Sequence, residues 1–162
     1  MPIVKLPQHT LTSGDVTYLA HKLELSSFAG CLMKDQLKSK PNSIESGVLN
    51  LQTSSQEGTH WVAWFKNLKD RYYFDSFGQQ PPLGLVKYLK TPKEISQNLA
   101  EIKQSSVQVQ LSSSHECGAL CIYVLYYLGK GCPYGKILQN LLERYQINTL
   151  RSHESNLIIN HP

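Results

Sequence analysis

Residues 110–129, QLSSSHECGALCIYVLYYLG, contain the segment most informative about the fold. Residues 119–128 are apolar on every side of a helix and are followed by Gly129, a pattern typical of a helix buried in the centre of a domain. This run of about ten residues is too short for a membrane span, which needs about twenty. The polar residues before Cys117 place that cysteine in the first turn. The stretch therefore predicts a buried central helix that begins with a thiol.

The composition is that of one globular domain. With 162 residues, 41% of them hydrophobic, the chain can bury one sizeable core, and its plentiful apolar residues exclude a disordered protein. The formal charge of +4 is scattered, which permits nucleic-acid contact without predicting it. Sparse cysteines and the lack of an apolar signal segment predict an intracellular, reducing environment. We expect a single domain over residues 1–162, with the last dozen residues loosely held.

Periodicity and capping signals predict the remaining elements. The predicted helices are residues 13–25, 92–102 and 136–145. The predicted strands are residues 47–51, 59–65, 71–77 and 107–111. Together these elements predict an α+β domain in which the central helix packs on a small mixed or antiparallel sheet.

The two longest strands form a hairpin that places a histidine near a carboxylate. If Lys66 and Arg71 flank the turn, opposed residues have numbers that sum to about 136 or 137. His60 then faces residue 76 or 77, and Asp75 lies within reach. A carboxylate there orients a histidine and stabilises its imidazolium form.

Cys117 has the setting of a nucleophile. A thiol attacks as thiolate, which the positive end of a helix dipole favours, and the small Gly118 allows a substrate carbonyl to approach closely. The backbone N–H of Cys117 and the side-chain amide of Gln110 could both donate to a developing oxyanion. Taken singly, His60 is also explained as a polar strand residue, Asp75 as a turn former and Cys117 as a small buried residue.

Three segments taken together resemble the adenovirus protease family, adenain. They are Gly58-Thr59-His60-Trp61, residues 72–78 (YYFDSFG) and residues 110–121. In that family a Gly-x-His-Trp strand supplies the base, a strand ending in an acid followed by x-Phe-Gly supplies the third triad member, and a Gln precedes Cys-Gly by seven residues. SUMO-specific and related ubiquitin-like proteases share the same order, so the pattern also indicates this wider class. Residues 28–37 resemble the family's early segment as well.

The resemblance implies a papain-like cysteine protease fold and a catalytic set of His60, Asp75 and Cys117 with Gln110 in the oxyanion hole. It implies a substrate-binding role for Trp61 and Gly118, although a core position explains Trp61 equally well. The implied activity is that of a monomeric cysteine endopeptidase that cleaves viral precursor proteins near small Gly residues during virion maturation. Its expected location is the host nucleus or the virion.

The chain departs from the family in two respects. Adenoviral enzymes commonly have Glu as the third triad member, whereas Asp75 matches the ubiquitin-like proteases. No cysteine lies between Asp75 and Cys117 to tether an activating peptide, so the resemblance implies a non-covalent one. It also implies DNA as a cofactor, for which Lys66, Lys69 and Arg71 are candidates, with a solvated basic surface as the alternative.

We expect no metal and no cofactor for the chemistry itself. His115, Cys117, Cys121 and Cys132 have a spacing that fits no common zinc finger. Two other functions compete with the endopeptidase: an isopeptidase specific for SUMO or another ubiquitin-like modifier, and a non-catalytic binding module of the same fold. The intact set of His60, Asp75, Gln110 and Cys117 counts against the binding module.

Overall fold

The structure is a computed structural model that describes residues 2–52 and 60–162. Its helices are α1 (Ser13–Lys22), α2 (Leu83–Leu89), α3 (Pro92–Ser96), α4 (Cys117–Gly129) and α5 (Tyr134–Arg151). Its strands are β1 (Ile3–Lys5), β2 (Phe28–Met33), β3 (Ile44–Asn50), β4 (Trp61–Asn67), β5 (Asp70–Phe74), β6 (Ile102–Gln104) and β7 (Ile158–Asn160). The described helices include none long and apolar enough to cross a membrane.

Five strands form one mixed sheet in the order β2-β3-β4-β5-β6. The inner pairs, β3 with β4 and β4 with β5, are antiparallel, whereas the outer strands β2 and β6 run parallel to their neighbours. β1 and β7 pair separately as an antiparallel two-stranded ribbon. The predicted α+β architecture with a mixed sheet is confirmed.

β4 is buried on both faces, because apolar side chains from helices cover each side of the sheet. On one face Ala63 and Phe65 pack in the main core with α4. On the other, Val62 and Trp64 pack with α2. Ten of the thirteen residues of α4 are buried, and burying each large apolar side chain contributes about 1.5–3 kcal/mol. The predicted central helix is therefore confirmed.

The N-terminal helix starts where the sequence predicts but ends earlier. The Thr12 hydroxyl accepts from the Asp15 N–H, and the Asp15 carboxylate accepts from the Thr12 N–H, which completes a capping box. The helix ends at Lys22, since Glu24 adopts a positive φ of 54°. Leu25 still reaches the core from the turn that follows.

The region between the hairpin and α4 differs most from prediction. The helix expected over residues 92–102 ends at Ser96, because Asn98 and Ala100 have left-handed backbones, and a strand, β6, follows. The strand expected over residues 107–111 is irregular, since β6 already occupies the edge beside β5. Helix α2 was not predicted.

The strands near the hairpin and the C-terminal segment also differ in extent. β3 spans Ile44–Asn50 and is longer than the predicted residues 47–51, and the described part of the strand predicted over residues 59–65 begins at Trp61. Gly58 and Thr59 lie outside the described residues. The last dozen residues, expected to be loosely held, instead contain β7, whose Ile159 is fully buried.

Candidate active site

The β4–β5 hairpin brings His60 and Asp75 together at one end of the sheet. Ala63 pairs with Phe74 and Asn67 with Asp70, so opposed residues sum to 137, as predicted. His60 precedes β4 and Asp75 follows β5. His60 Nε2 lies 2.9 Å from Asp75 Oδ1 and donates to it. Asp75 is 1% exposed, which keeps water from competing for this bond.

Asp75 is itself held by the turn that follows it. Its Oδ1 also accepts from the Phe77 N–H at 2.9 Å, and its backbone carbonyl accepts from the Gly78 N–H at 2.9 Å. The Phe77 ring lies 5.2 Å from the His60 ring, centroid to centroid. The turn therefore fixes both the carboxylate and the imidazole plane.

Gly78 gives the turn its shape. Its φ of +73° favours glycine, and a Cβ at this position would lie 2.8 Å from the backbone of Ser106. The close approach lets the Val109 N–H donate to the Ser76 carbonyl at 2.8 Å. The segment that carries Gln110 is thereby attached to the end of β5.

Cys117 is the first residue of α4 and approaches His60 from the helix side of the core. Its thiol is free of disulfides and is 5% exposed. It forms a side-chain hydrogen bond with His60. Since Nε2 is bonded to Asp75, Nδ1 is the ring nitrogen left for the thiol. Asp75, His60 and Cys117 therefore form a continuous hydrogen-bonded chain.

This environment raises the pKa of His60 from 6.5 to about 9. Burial opposes the shift, because it disfavours the charged imidazolium. The hydrogen bonds and electrostatic interactions of the ring with Asp75 and Cys117 outweigh burial and raise its pKa. At neutral pH the ring therefore holds its proton, as a thiolate–imidazolium pair requires.

Gln110 is 2% exposed, and its side-chain amide is held at both ends. Its Oε1 accepts from the Ser76 hydroxyl at 2.6 Å, and its Nε2 donates to the Ser114 carbonyl at 3.0 Å. A primary amide has two N–H groups, so these bonds use one and leave one for a further acceptor. Sequence reasoning missed Ser76, although it directly follows Asp75 in the YYFDSFG segment.

Trp61 and Gly118, predicted to bind substrate, pack against each other beside Cys117. Trp61 is 4% exposed and donates its indole N–H to the Leu11 carbonyl at 3.0 Å. A Cβ on Gly118 would lie 3.2 Å from Trp61 and Leu11. Packing thus explains the glycine, and the substrate-binding role of both residues stays a prediction.

A buried ion pair supports the start of α4. Arg144 of α5 donates to both carboxylate oxygens of Glu116 at 2.9 Å, and to the Ser155 carbonyl at 2.6 Å. Glu116 is the residue before Cys117 and is fully buried. The pair ties the helix that begins with Cys117 to α5 and to the C-terminal segment. Nothing in the sequence identified Arg144, which lies in the middle of an amphipathic helix.

The other cysteines have different surroundings. Cys121 lies one turn after Cys117, and burial raises its thiol pKa well above the ordinary value. Burial likewise raises the pKa of Cys31 to about 12. Because its thiol pKa is raised, Cys121 is a poor nucleophile at neutral pH.

In residues 2–52 and 60–162, no three or more His, Cys, Asp or Glu side chains form a group that could hold a metal ion.

The basic residues predicted to hold DNA do not form one exposed surface. Lys66 and Arg71 are buried, at 9% and 8% exposed, and donate to backbone carbonyls. Of the three predicted residues, only Lys69 is exposed. The side chains of Lys66 and Arg71 are therefore not displayed on an open surface that a DNA duplex could contact.

Comparison with known proteins identifies a viral relative of this chain. No protein-family model matches the chain. It is 27% identical over 124 residues to the "Putative thiol protease R355" of Acanthamoeba polyphaga mimivirus, a match that covers 73% of this chain. The match spans only 41% of that relative.

Two solved structures extend the comparison. The ASFV pS273R protease superposes with a TM-score of 0.52 at 15% identity, over 85% of this chain and 66% of that one. The SUMO protease Ulp1 gives a TM-score of 0.49 at 14% identity, over 86% of this chain and 75% of that one. The chain therefore has the α+β fold of papain-like cysteine proteases, as seen in the ASFV enzyme.

Proposed function

We propose that this protein is a cysteine endopeptidase in which Cys117 is the nucleophile and His60 the general base and acid. The observation that carries the proposal is the chain from Asp75 through His60 to Cys117, with Asp75 and Cys117 almost fully buried. A buried carboxylate, an imidazole held by it and a thiol at a helix start form the arrangement that nucleophilic acyl transfer needs.

In the proposed reaction the Cys117 thiolate attacks a peptide carbonyl and forms a tetrahedral oxyanion. The second N–H of Gln110 and the backbone N–H of Cys117 donate to that oxyanion. His60 then gives its proton to the leaving amine, and the C–N bond breaks to leave a thioester. Water gives a proton to His60 as it attacks the thioester. The C–S bond then breaks, which releases the acid product and regenerates the thiolate–imidazolium pair.

The finer assignment rests on resemblance. The order His60, Asp75, Gln110, Cys117 is that of adenain-like proteases, and the mimivirus relative is named a thiol protease. We propose that the substrates are viral precursor proteins cut near small Gly residues inside infected cells. His60 serves as both acid and base, so no cofactor is part of the proposed chemistry.

A peptide-library digestion analysed by mass spectrometry tests the activity. We expect cleavage by the wild type, loss of cleavage in Cys117→Ala, and full cleavage in Cys132→Ala, which removes a half-buried thiol outside the triad. A SUMO fusion in the same assay separates an endopeptidase from a modifier-specific isopeptidase. The proposal would be contradicted if the wild-type protein cleaved neither the peptide library nor the SUMO fusion and if a thiol-reactive peptide warhead did not label Cys117.

A further inference from the structure

We infer that a basic pocket remote from Cys117 binds an acidic peptide segment carrying an apolar side chain. The pocket has a volume of about 340 Å³ and lies between the β4–β5 hairpin and the segment that joins α2 to α3. Five basic side chains line it, against the single carboxylate of Glu94. They are Lys40, Lys66, Arg71, Lys87 and Lys90.

The floor of the pocket consists of two cations directly opposed across a strand pair. Lys66 of β4 pairs with Arg71 of β5, and like charges in this position destabilise a sheet. Backbone carbonyls partly offset the cost. Lys66 donates to the carbonyls of Ser43 and Leu68. Arg71 donates to the carbonyls of Leu89 and Lys69. Arg71 also donates to Glu94, at a long 3.4 Å.

The nearby carboxylates leave an excess of positive charge. Glu45 lies opposite Lys66 on β3, but its oxygens already accept from Trp64, Tyr88, Lys38 and the Asn42 N–H. Lys87 and Lys90 add two more cations at the pocket wall. An anion placed here would therefore relieve repulsion between cations as well as gain attraction.

A second cavity gives the ligand its apolar component. This cavity, of about 450 Å³, is lined by Lys87, Lys90, Pro92, Ile95 and Ser96. It shares Lys87, Lys90 and Pro92 with the basic pocket, so the two cavities are adjacent. Ile95 is 40% exposed and supplies an apolar wall.

This combination favours a peptide over a nucleic acid. Nucleic-acid backbones are bound by cations spread along an extended groove, with aromatic stacking where the strand is single. Here the cations converge on one pocket beside an apolar cavity. A carboxylate next to a Leu or Ile side chain matches both parts.

The pocket lies at the far end of the strands that carry the candidate triad. Lys66 follows His60 by six residues, and a strand rises about 3.3 Å per residue, which separates them by about 20 Å. A peptide bound here leaves Cys117 accessible. The inference rests on charge and shape, so it is independent of the proposed protease activity.

Fluorescence anisotropy on the Cys117→Ala protein tests the inference without chemistry. The probe is a fluorescein-labelled Ser-Glu-Glu-Leu-Asp-Ser peptide. Two comparison peptides are a Gln peptide, in which Gln replaces each acidic residue, and a Ser peptide, in which Ser replaces Leu. We expect saturable binding that weakens with salt, and about tenfold or more loss for Lys87→Glu/Lys90→Glu and for the Gln peptide. Ile95→Ser and the Ser peptide should each weaken binding by several-fold.

The matched control is Lys22→Glu/Lys136→Glu, which makes the same charge change on α1 and α5, on the other side of the sheet. We expect this control to bind within about twofold of the parent. Equal losses in both double variants would show a diffuse charge effect and overturn the inference, as would the absence of saturable binding. A single-stranded DNA oligonucleotide that binds more tightly and displaces the peptide would overturn the choice of ligand.

Discussion

Ser76 Oγ lies 2.6 Å from Gln110 Oε1, and its chain neighbour Asp75 holds His60. Two consecutive residues, Asp75 and Ser76, therefore hold the candidate base His60 and the candidate oxyanion donor Gln110. Because both are buried and attached to the same turn, a shift of that turn would move both groups together.

Ser76→Ala should lower kcat by about tenfold or more. Removing an oxyanion donor altogether lowers kcat by a factor of about 10²–10³, whereas this variant keeps Gln110 and only removes the hydrogen bond that orients its amide. The rate at which iodoacetamide alkylates Cys117 should stay within about twofold, since the triad is untouched. The two rates are measured on the same preparation.

The control for this prediction is Ser112→Ala, which removes a hydroxyl that accepts from Gln108 at 3.3 Å in the same loop. It should leave both rates unchanged. Equal decreases of kcat and alkylation in Ser76→Ala would show a general distortion of the site and refute a positioning role.

The raised pKa of His60 should be visible in a pH titration. In the unfolded chain the ring loses its proton near pH 6.5, and in the folded protein at about 9. Its contribution to stability is thus fully present below pH 6.5 and is lost as pH rises through about 9. NMR of ¹³C-labelled histidine follows the ring directly.

Asp75→Asn serves as the comparison, because it removes the carboxylate that raises the pKa. The His60 midpoint should fall toward 6.5, and the loss of stability between pH 6.5 and 9 should shrink. A wild-type midpoint at or below 6.5 would mean that burial dominates and that the ion pair does not form.

Gly118→Ala should destabilise the fold by about 1–3 kcal/mol, because its Cβ would lie 3.2 Å from Leu11 and Trp61 in the core. Urea unfolding measures the change. Gly135→Ala makes the same substitution in a helix with no heavy atom near the new Cβ. It should be neutral or stabilise by up to roughly 1 kcal/mol. Similar losses at both positions would argue against tight packing at Gly118.

Arg144→Met should destabilise the protein by about 3–5 kcal/mol, because it leaves the Glu116 carboxylate buried without its cation. Glu116→Gln/Arg144→Met should recover part of the loss. Lys103→Met, at an exposed pair with Asp70, should cost about 1 kcal/mol or less. Denaturant midpoints rank the variants, and an Arg144→Met protein as stable as Lys103→Met would contradict the importance of the buried pair.

Elements with a strong local pattern were predictable. The unbroken apolar run after Cys117 could only be satisfied by burial on all sides, and the hairpin's turn set its register at 137. α2 and β6 were not predictable, because seven and three residues carry too little periodicity. β6 exists through its pairing with β5, which depends on the folded arrangement of distant segments.

The candidate site divides in the same way. His60, Asp75, Gln110 and Cys117 belong to a recognisable order with characteristic neighbours. The structure joins His60 to Asp75 and Cys117, and it attaches Gln110 to Ser76, the residue after Asp75. Ser76 and Arg144 are ordinary polar residues in sequence. Their roles come from partners 34 and 28 residues away, respectively, which no local pattern specifies.

Cys117 belongs to α4, the helix on which the main core is built. Since ten of the thirteen residues of α4 must be buried before that helix is stable, Cys117 meets His60 only when the sheet and α4 have docked. His60 is synthesised before Cys117, so the histidine remains without its thiol partner until α4 has been made and has packed on the sheet.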